Sequence, residues 1–338
     1  MMLHLEQKID EYLKNGIPEH IAVRVGMGDQ ILYDTYRGGV DALTLFDMAS
    51  VTKIMVTTPL ALIALERGLL HSEDPVSRFY NTDQDFTVGH LLTHTTGIGH
   101  VRLNAAGNTY DNIAEWILKI PCDFPSGSEV EYSCRGFILL GKILELVFGK
   151  RLDECFEELV AKPLCLSETS FLPGNRQKAV NANLREDLRG VVNDGNCRFL
   201  GGIAGNAGLF SCLSDVTKYV GFLLRKGAPL ISERTFDTAV RNYTHWMRES
   251  RGLGFLYVDD RYPQTGGLFS DGSIGHCGHT GQSVFVDYRS GLYVIILSDA
   301  TVATVKKYGK EHYDEVIELR AQIHGAIKCS LECGETSV

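Results

Sequence analysis

A chain of 338 residues that is 44% apolar and 22% charged has room for about two domains and the composition of an ordinary globular protein, which excludes disorder and fibre. A formal net charge of -9, with no Lys/Arg-rich block, excludes nucleic acid as the main partner. The nine cysteines are odd in number, irregularly spaced and without a C-x-x-C pair, so they read as free thiols, and no metal or cofactor is expected.

Leu5, Ile9 and Leu13 recur every four residues among Glu6, Lys8, Asp10 and Glu11, a spacing that predicts an amphipathic helix over 1–14. This start lacks the basic cluster, apolar core and small-residue cleavage site of a secretory signal, so a cytoplasmic protein is expected. Ile17-Pro18 breaks the helical pattern. His20 to Val25 and Gln30 to Tyr36 then read as strands of a hairpin, joined by Gly26-Met27-Gly28-Asp29 and ended by Gly38-Gly39.

Asp47-Met48-Ala49-Ser50-Val51-Thr52-Lys53 precedes an apolar run, Ile54 to Leu65, that contains Pro59 and is too short to span a bilayer. If that run is helical, Ser50 stands at its start and Lys53 lies on the same face, within reach of the hydroxyl. A hydroxyl beside an amine is the pattern of an activated nucleophile, and a helix N-terminus favours an alkoxide over an ammonium. S-x-x-K alone is more often a capped surface helix with an outward lysine than a catalytic pair, so the decision rests on residues farther away.

From Leu69 to about Phe210 the pattern is helical: Val88 to Thr93, Tyr110 to Leu118, and Cys134 to Phe148 with Phe137, Leu140, Ile143, Leu144 and Val147 at helical spacing. Gly174 to Phe199 is polar and reads as loop. Gly201 to Gly208, mostly glycine and alanine, points to close backbone packing or a tight turn, and its spacing matches neither phosphate-binding glycine motif. A helix from Ser214 to Arg225, capped by Ser214, follows. Strand character returns at Gly254 to Val258, Ser283 to Asp287 and Gly291 to Leu297, and a last helix runs from about Glu311 to Ile327 before a polar tail holding Cys329 and Cys333. The order predicts an α+β fold: a discontinuous domain with an antiparallel sheet from 1–68 and 211–338, and a mainly helical insertion from 69–210.

Three more stretches bear on Ser50 and Lys53. Tyr132, in Tyr132-Ser133-Cys134 ahead of an apolar helix, is either a half-buried packing residue or a phenol able to share the serine proton. Gly278-His279-Thr280-Gly281-Gln282 enters a strand, where small residues admit a substrate and an N–H can bind an oxyanion; the alternative is a surface turn. Leu91-Leu92-Thr93-His94-Thr95-Thr96-Gly97 is a helix end with a glycine stop, and His94 reads as a structural hydrogen-bonder.

Together, Ser50-Val51-Thr52-Lys53, Tyr132-Ser133-Cys134 and His279-Thr280-Gly281 resemble, in order, the S-x-x-K, Y-x-N and K/H-T-G motifs of the serine β-lactamase and penicillin-binding protein superfamily. The match is to the class C-like branch, which includes esterases and D-amino-acid peptidases. The resemblance covers roughly residues 20 to 300 and implies an antiparallel-sheet domain flanked by helices, an all-helical domain and a cleft between them. It implies Ser50 as the nucleophile of an acyl-enzyme and Lys53 and Tyr132 as the proton-transfer pair. It further implies the N–H groups of Ser50 and Gln282 as the oxyanion hole, with His279 holding Tyr132 and the polar end of the substrate.

Two residues depart from that pattern. Cys134 replaces an asparagine that contacts the substrate's acyl-amide, and a thiol is a poor donor and acceptor. His279 replaces the lysine of class C β-lactamases, which weakens the fixed positive charge near neutral pH. Both argue against efficient β-lactam hydrolysis. The expected activity is hydrolysis of a small-molecule ester or small amide; a peptidase or acyltransferase of the same fold and an acylatable sensor without turnover are the alternatives.

Overall fold

The computed structural model describes residues 2–104, 107–182 and 189–335. Its centre is a six-stranded antiparallel sheet in the order β2-β1-β9-β8-β7-β6. The strands are β1 (Ile21–Met27), β2 (Gln30–Arg37), β6 (Leu256–Tyr257), β7 (Ile274–Cys277), β8 (Ser283–Val286) and β9 (Leu292–Ser298). The sheet therefore draws on both ends of the chain, as the element order predicts. A small second sheet joins β3 (Phe46–Asp47), β5 (Leu209–Ser211) and β4 (Ser170–Phe171) in that order.

Both faces of the large sheet are covered, and the period-2 alternation of its central strands decides which side chain goes where. On β9, Val294 and Ile296 pack with β8 Phe285 against α1 (Leu3–Lys14), α10 (Ala300–Tyr308) and α11 (Tyr313–Glu332). The intervening Tyr293, Ile295 and Leu297 join β8 Val284 and Val286 in the larger core on the other face. That core runs without a break through α2 (Thr58–Glu66), α3 (Val88–Thr93), α4 (Ile113–Ile117), α5 (Cys134–Phe148), α6 (Leu152–Phe156) and α8 (Leu213–Leu224). Two short helices, α7 (Gly195–Phe199) and α9 (Glu233–Ala239), complete the set.

Several boundaries differ from expectation for local reasons. The hairpin turn is Gly28-Asp29 alone, because β1 continues through a bulge at Val25/Gly26 to Met27; Gly26 sits where a Cβ would meet the Tyr293 ring at 2.1 Å. The expected strand 254–258 contracts to Leu256–Tyr257 and the helix from Tyr110 to Ile113–Ile117. Ser214 is not a cap: α8 starts at Leu213 behind Cys212, and the Ser214 N–H donates to Ala42 O. The span 174–199 holds a turn of 3-10 helix at Arg176–Lys178 and α7, capped by Asp194 Oδ1 accepting from Cys197 N at 2.7 Å. Within that span 183–188 lie outside the described residues, as do 105 and 106 in the expected loop from Leu103 to Asn108. At the C-terminus α11 includes Cys329 and runs to Glu332, is capped by Cys333, and is followed by a turn in which Glu335 accepts from Ser330 Oγ at 2.8 Å; residues 336–338 lie outside the described residues.

β7 has no counterpart in the sequence reading. It is four residues long with glycine and histidine at its centre, so it carries no β-branched run. Gly275 is needed there because a Cβ would lie 2.3 Å from Val284 O and 2.4 Å from the Phe285 ring. The strand that most concerns the site is thus the one with the weakest pattern.

Candidate active site

Ser50 lies in a turn between β3 and the apolar helix. Buried Asp47 shapes that turn, its carboxylate accepting from Ala49 N at 2.8 Å and from Asn193 N at 2.7 Å. Burial raises the Asp47 pKa to about 6 against the lowering effect of these N–H groups. Ala49, immediately before Ser50, takes the left-handed conformation with φ 45°, a strained state for a residue with a Cβ. After Ser50 the chain enters a wide π-type turn, Lys53–Thr57, that leads into α2 with Pro59 in its first turn, where a missing N–H costs least.

Lys53 is fully buried, and its Nζ lies 3.0 Å from Ser50 Oγ, 2.6 Å from Tyr132 OH and 3.0 Å from Asn206 O. The Tyr132 hydroxyl lies 2.5 Å from Ser50 Oγ, which closes a triangle of hydroxyl, amine and phenol. Among the described residues no carboxylate pairs with Lys53. Desolvation by burial pushes its pKa down, helped by the Arg251 charge, while the neighbourhoods of Cys134 and Asp194 act the other way. Burial, first of all, pushes the Tyr132 pKa well above the ordinary phenol range. The amine is driven toward its neutral form and the phenol is driven to keep its proton.

The Gly201 to Gly208 stretch explains the carbonyl that meets Lys53. An isolated bridge between Ala204 and Ala207 makes a tight turn, and Gly205 abuts α5 where a Cβ would lie 2.1 Å from Phe137 O. The close approach requires glycine and delivers Asn206 O to Lys53. Tyr132 and Cys134 are set by the start of α5, whose N-cap Ser133 accepts from Gly136 N at 3.3 Å. Ser133 N donates to His94 Nδ1 at 3.1 Å, so neutral His94 carries its proton on Nε2. His94 itself, at φ 58°, is the left-handed end of α3, three residues before the expected glycine stop. Cys134 Sγ lies 3.8 Å from Lys53 Nζ and 4.0 Å from Tyr132 OH.

Around this group a cavity of about 340 Å³ is lined by Ser50, Tyr132, Arg251, His276, Cys277 and His279, with Glu249, Leu256, Tyr262, Gln264 and Tyr313 completing the wall. Larger cavities, of about 620 and 730 Å³, lie on other faces and contain none of these residues. The smaller one is the site, because of the three it alone is lined by Ser50 and Tyr132, with Lys53 buried behind them.

The third expected stretch divides. His279 reaches the cavity but does not hold Tyr132: its Nε2 pairs with Glu311 at 3.2 Å and its ring stacks on Tyr313. The imidazole beside the Tyr132 ring is His276, with centroids 6.0 Å apart. Its Nδ1 lies 2.7 Å from Cys277 O, which leaves Nε2 buried and without a partner. Thr280, Gly281 and Gln282 turn inward. Thr280 Oγ1 lies 3.0 Å from Asp47 O, which it meets as donor, and 2.5 Å from Gln282 Oε1. Gln282 Nε2 donates to Ser298 O at 3.1 Å, and Gly281 lies against Ser298. These three residues pin the β7–β8 turn to the Ser50 loop and do not line the cavity, because the alternation of β7 and the tight turn after it leave His276 and His279 on the open side.

Sequence reasoning missed His276, Arg251 and Asn206. Arg251 is almost fully buried, pairs with Glu249 at 2.6 Å and places its guanidinium 5.9 Å from the Tyr132 ring centroid, with Nε lacking a partner. Lone residues in unpatterned segments carry no spacing signal. Among the described residues one His/carboxylate cluster has ligand atoms close enough for a cation, Glu19, His20 and Asp299, but Asp299 lies 2.6 Å from His20 Nδ1 and Glu19 pairs with Lys306. No helix among the described residues is long and apolar enough to cross a membrane.

Comparison with known proteins agrees with this geometry. The chain is 28% identical over 307 residues to Esterase EstB of Burkholderia gladioli, covering 76% of this chain and 77% of that one. It is 27% identical over 307 residues to the N-acetylmuramyl-L-alanine amidase of Bacillus subtilis (strain 168), covering 76% and 68%. Its fold matches the unliganded simvastatin synthase of Aspergillus terreus with a TM-score of 0.75 at 18% identity, over 96% of this chain and 97% of that one. The Beta-lactamase family description matches residues 5–316, and the chain belongs to that family of serine hydrolases and penicillin-binding protein relatives.

Proposed function

We propose that this protein cleaves esters or small amides through an acyl-enzyme on Ser50. The observation that carries the reading is a fully buried amine, without a carboxylate partner among the described residues, 3.0 Å from a serine hydroxyl that also meets a phenol at 2.5 Å. Ser50 Oγ attacks the substrate carbonyl carbon and its proton passes to neutral Lys53. Tyr132 then gives its proton to the leaving alcohol or amine and recovers one from Lys53. Water attacks the ester so formed, its proton returns through the same pair, and the acid leaves with Ser50 restored.

Lys53 is the base in this scheme because burial lowers its pKa and raises that of Tyr132. The oxyanion is received by the N–H groups of Ser50 and His279. Neither has an acceptor inside the protein among the described residues, and both residues line the cavity, whereas Gln282 does not. Cys134 offers an acyl-amide little, and Glu311 offsets any charge on His279, which supports a small uncharged ester. The relationship to an esterase and an amidase is consistent with either bond. The nine free cysteines support a reducing, cytoplasmic location.

Purified protein should hydrolyse a short-chain nitrophenyl ester, and Ser50→Ala should lower kcat by at least about 10³-fold. Undiminished turnover in that variant removes Ser50 as nucleophile. The Cys134 departure favours one second reading, an acylatable sensor. Intact-mass measurement after ester addition separates the two, since a lasting adduct marks the sensor and rapid release the hydrolase.

A further inference from the structure

We propose that Arg320, on α11 behind the cavity wall, is a positioning residue that aims and polarises the His279 N–H as an oxyanion donor. The inference rests on the serine-hydrolase reading. Arg320 is the largest fully buried side chain, and no carboxylate pairs with it among the described residues. Keeping a guanidinium dry without a counter-charge is costly, and apolar neighbours on the same helix, Leu319 and Ile323, fill the core without that cost.

The partners of Arg320 say what it holds. Nη2 donates to Gly278 O, while Nη1 reaches Gln264 Oε1 and Tyr313 OH, each at 3.3 Å. The Gly278 carbonyl receives a second donor, Gly281 N, at 3.1 Å. Gly278 and His279 share one peptide plane, and that peptide is trans. In a trans peptide the carbonyl and the following N–H point in opposite directions, so drawing Gly278 O toward Arg320 turns the His279 N–H away from it. A full positive charge at the carbonyl end also draws electron density along the amide and strengthens the N–H as a donor.

Gly278 fixes the distance between the two donors. A Cβ there would lie 2.8 Å from Met48 O, so the end of β7 rests directly on the loop that presents Ser50. Arg320 thus sets the orientation of one donor, and the glycine contact sets its spacing from the other. Nothing in the expected S-x-x-K, Y-x-N and H-T-G stretches includes this residue.

The test begins with fluorophosphonate labelling of Ser50 in the wild-type protein. Absence of label overturns the serine-hydrolase reading and this inference with it. Given label, Arg320→Met should lower kcat for a nitrophenyl ester about 10²-fold with KM held within about threefold, and Arg320→Lys should recover part of the loss. Infrared spectroscopy of the carbonyl-labelled acyl-enzyme supplies a readout that packing damage does not mimic: the stretch should move to higher frequency as the oxyanion donor weakens. If Arg320→Met does not fold, Arg320→Lys is read in the same way. A folded variant with unchanged kcat, or with lowered kcat and an unmoved carbonyl stretch, overturns the role of Arg320 and leaves Ser50 as nucleophile untouched.

Discussion

At the scale of single residues the central object is Lys53, an amine placed where its charged form is penalised. In the proposed scheme the neutral form is the base, so activity should rise with pH through the depressed Lys53 pKa and level off below the ordinary lysine range; a pH profile of kcat/KM checks this, and a rise that begins only above that range counts against Lys53. The same burial has a stability consequence of definite sign. Unfolding lets Lys53 take up a proton that the native state excludes, so this residue makes stability fall as the pH drops below the unfolded lysine range. Lys53→Met should therefore lose at least about 10³-fold in activity and gain melting temperature together, a trade common at functional sites. Tyr132→Phe should cost about 10²- to 10⁴-fold in kcat, the range for one proton-transfer group, with Ser50 still able to take a fluorophosphonate. Ser50, Lys53 and Tyr132 were legible in the sequence because two ordered motifs carry them. His276 was not, since the H-T-G stretch three residues later matches better as text and only the pleat of β7 shows which imidazole faces Tyr132.

At the scale of elements, the site is where three segments cross: the Ser50 turn, the start of α5 and the glycine-rich turn that meets both. Gly205→Ala would put a Cβ 2.1 Å from Phe137 O and force α5 and the turn apart. We expect a loss of about 1–3 kcal/mol, the usual range for overpacking, with reduced kcat because Asn206 O moves from Lys53. Denaturant titration and ester kinetics on the same sample check both halves. The close-packing reading of this stretch came from composition alone, since glycine and alanine in series leave few other uses. The length of β7, the small β3-β5-β4 sheet and the start of α8 were not legible. Each is a short element whose existence depends on partners supplied by distant segments, and a two- or three-residue strand has no period to read.

For the whole molecule, acid should be the destabilising direction. His94, His276 and His324 are buried and neutral, their pKa values lowered chiefly by desolvation, that of His324 from 6.5 to about 4. Each has a depressed folded pKa, so the unfolded chain binds protons the native state refuses and stability is lost as pH falls from the ordinary histidine range toward these lower values. His20 works in the opposite sense: its bond to Asp299 raises its pKa, and the stability it lends is present at low pH and fades as pH rises through the raised value. Asp47 also opposes them, because its pKa raised to about 6 lets the native state take up a proton as pH falls. With three buried histidines against these two groups, the melting temperature should fall between pH 6.5 and 4, a window given by His324. His324→Phe should reduce that loss by roughly 3 kcal/mol at the acid end. Thermal melts across pH on both proteins check it.

By itself the sequence determined the fold class, the use of both chain ends in one antiparallel sheet, and the choice of Ser50, Lys53 and Tyr132 as the hydroxyl, amine and phenol that the fold brings together, because hydrophobic periodicity and ordered motifs are local properties that survive without coordinates. Only the tertiary structure decided that Thr280, Gly281 and Gln282 are internal pins, that His276 and His279 divide the third stretch between them, and that Arg251 and Arg320 stand close to the site. These depend on which face of a four-residue strand meets the cavity and on contacts between residues far apart in the chain, and no spacing along the sequence encodes either.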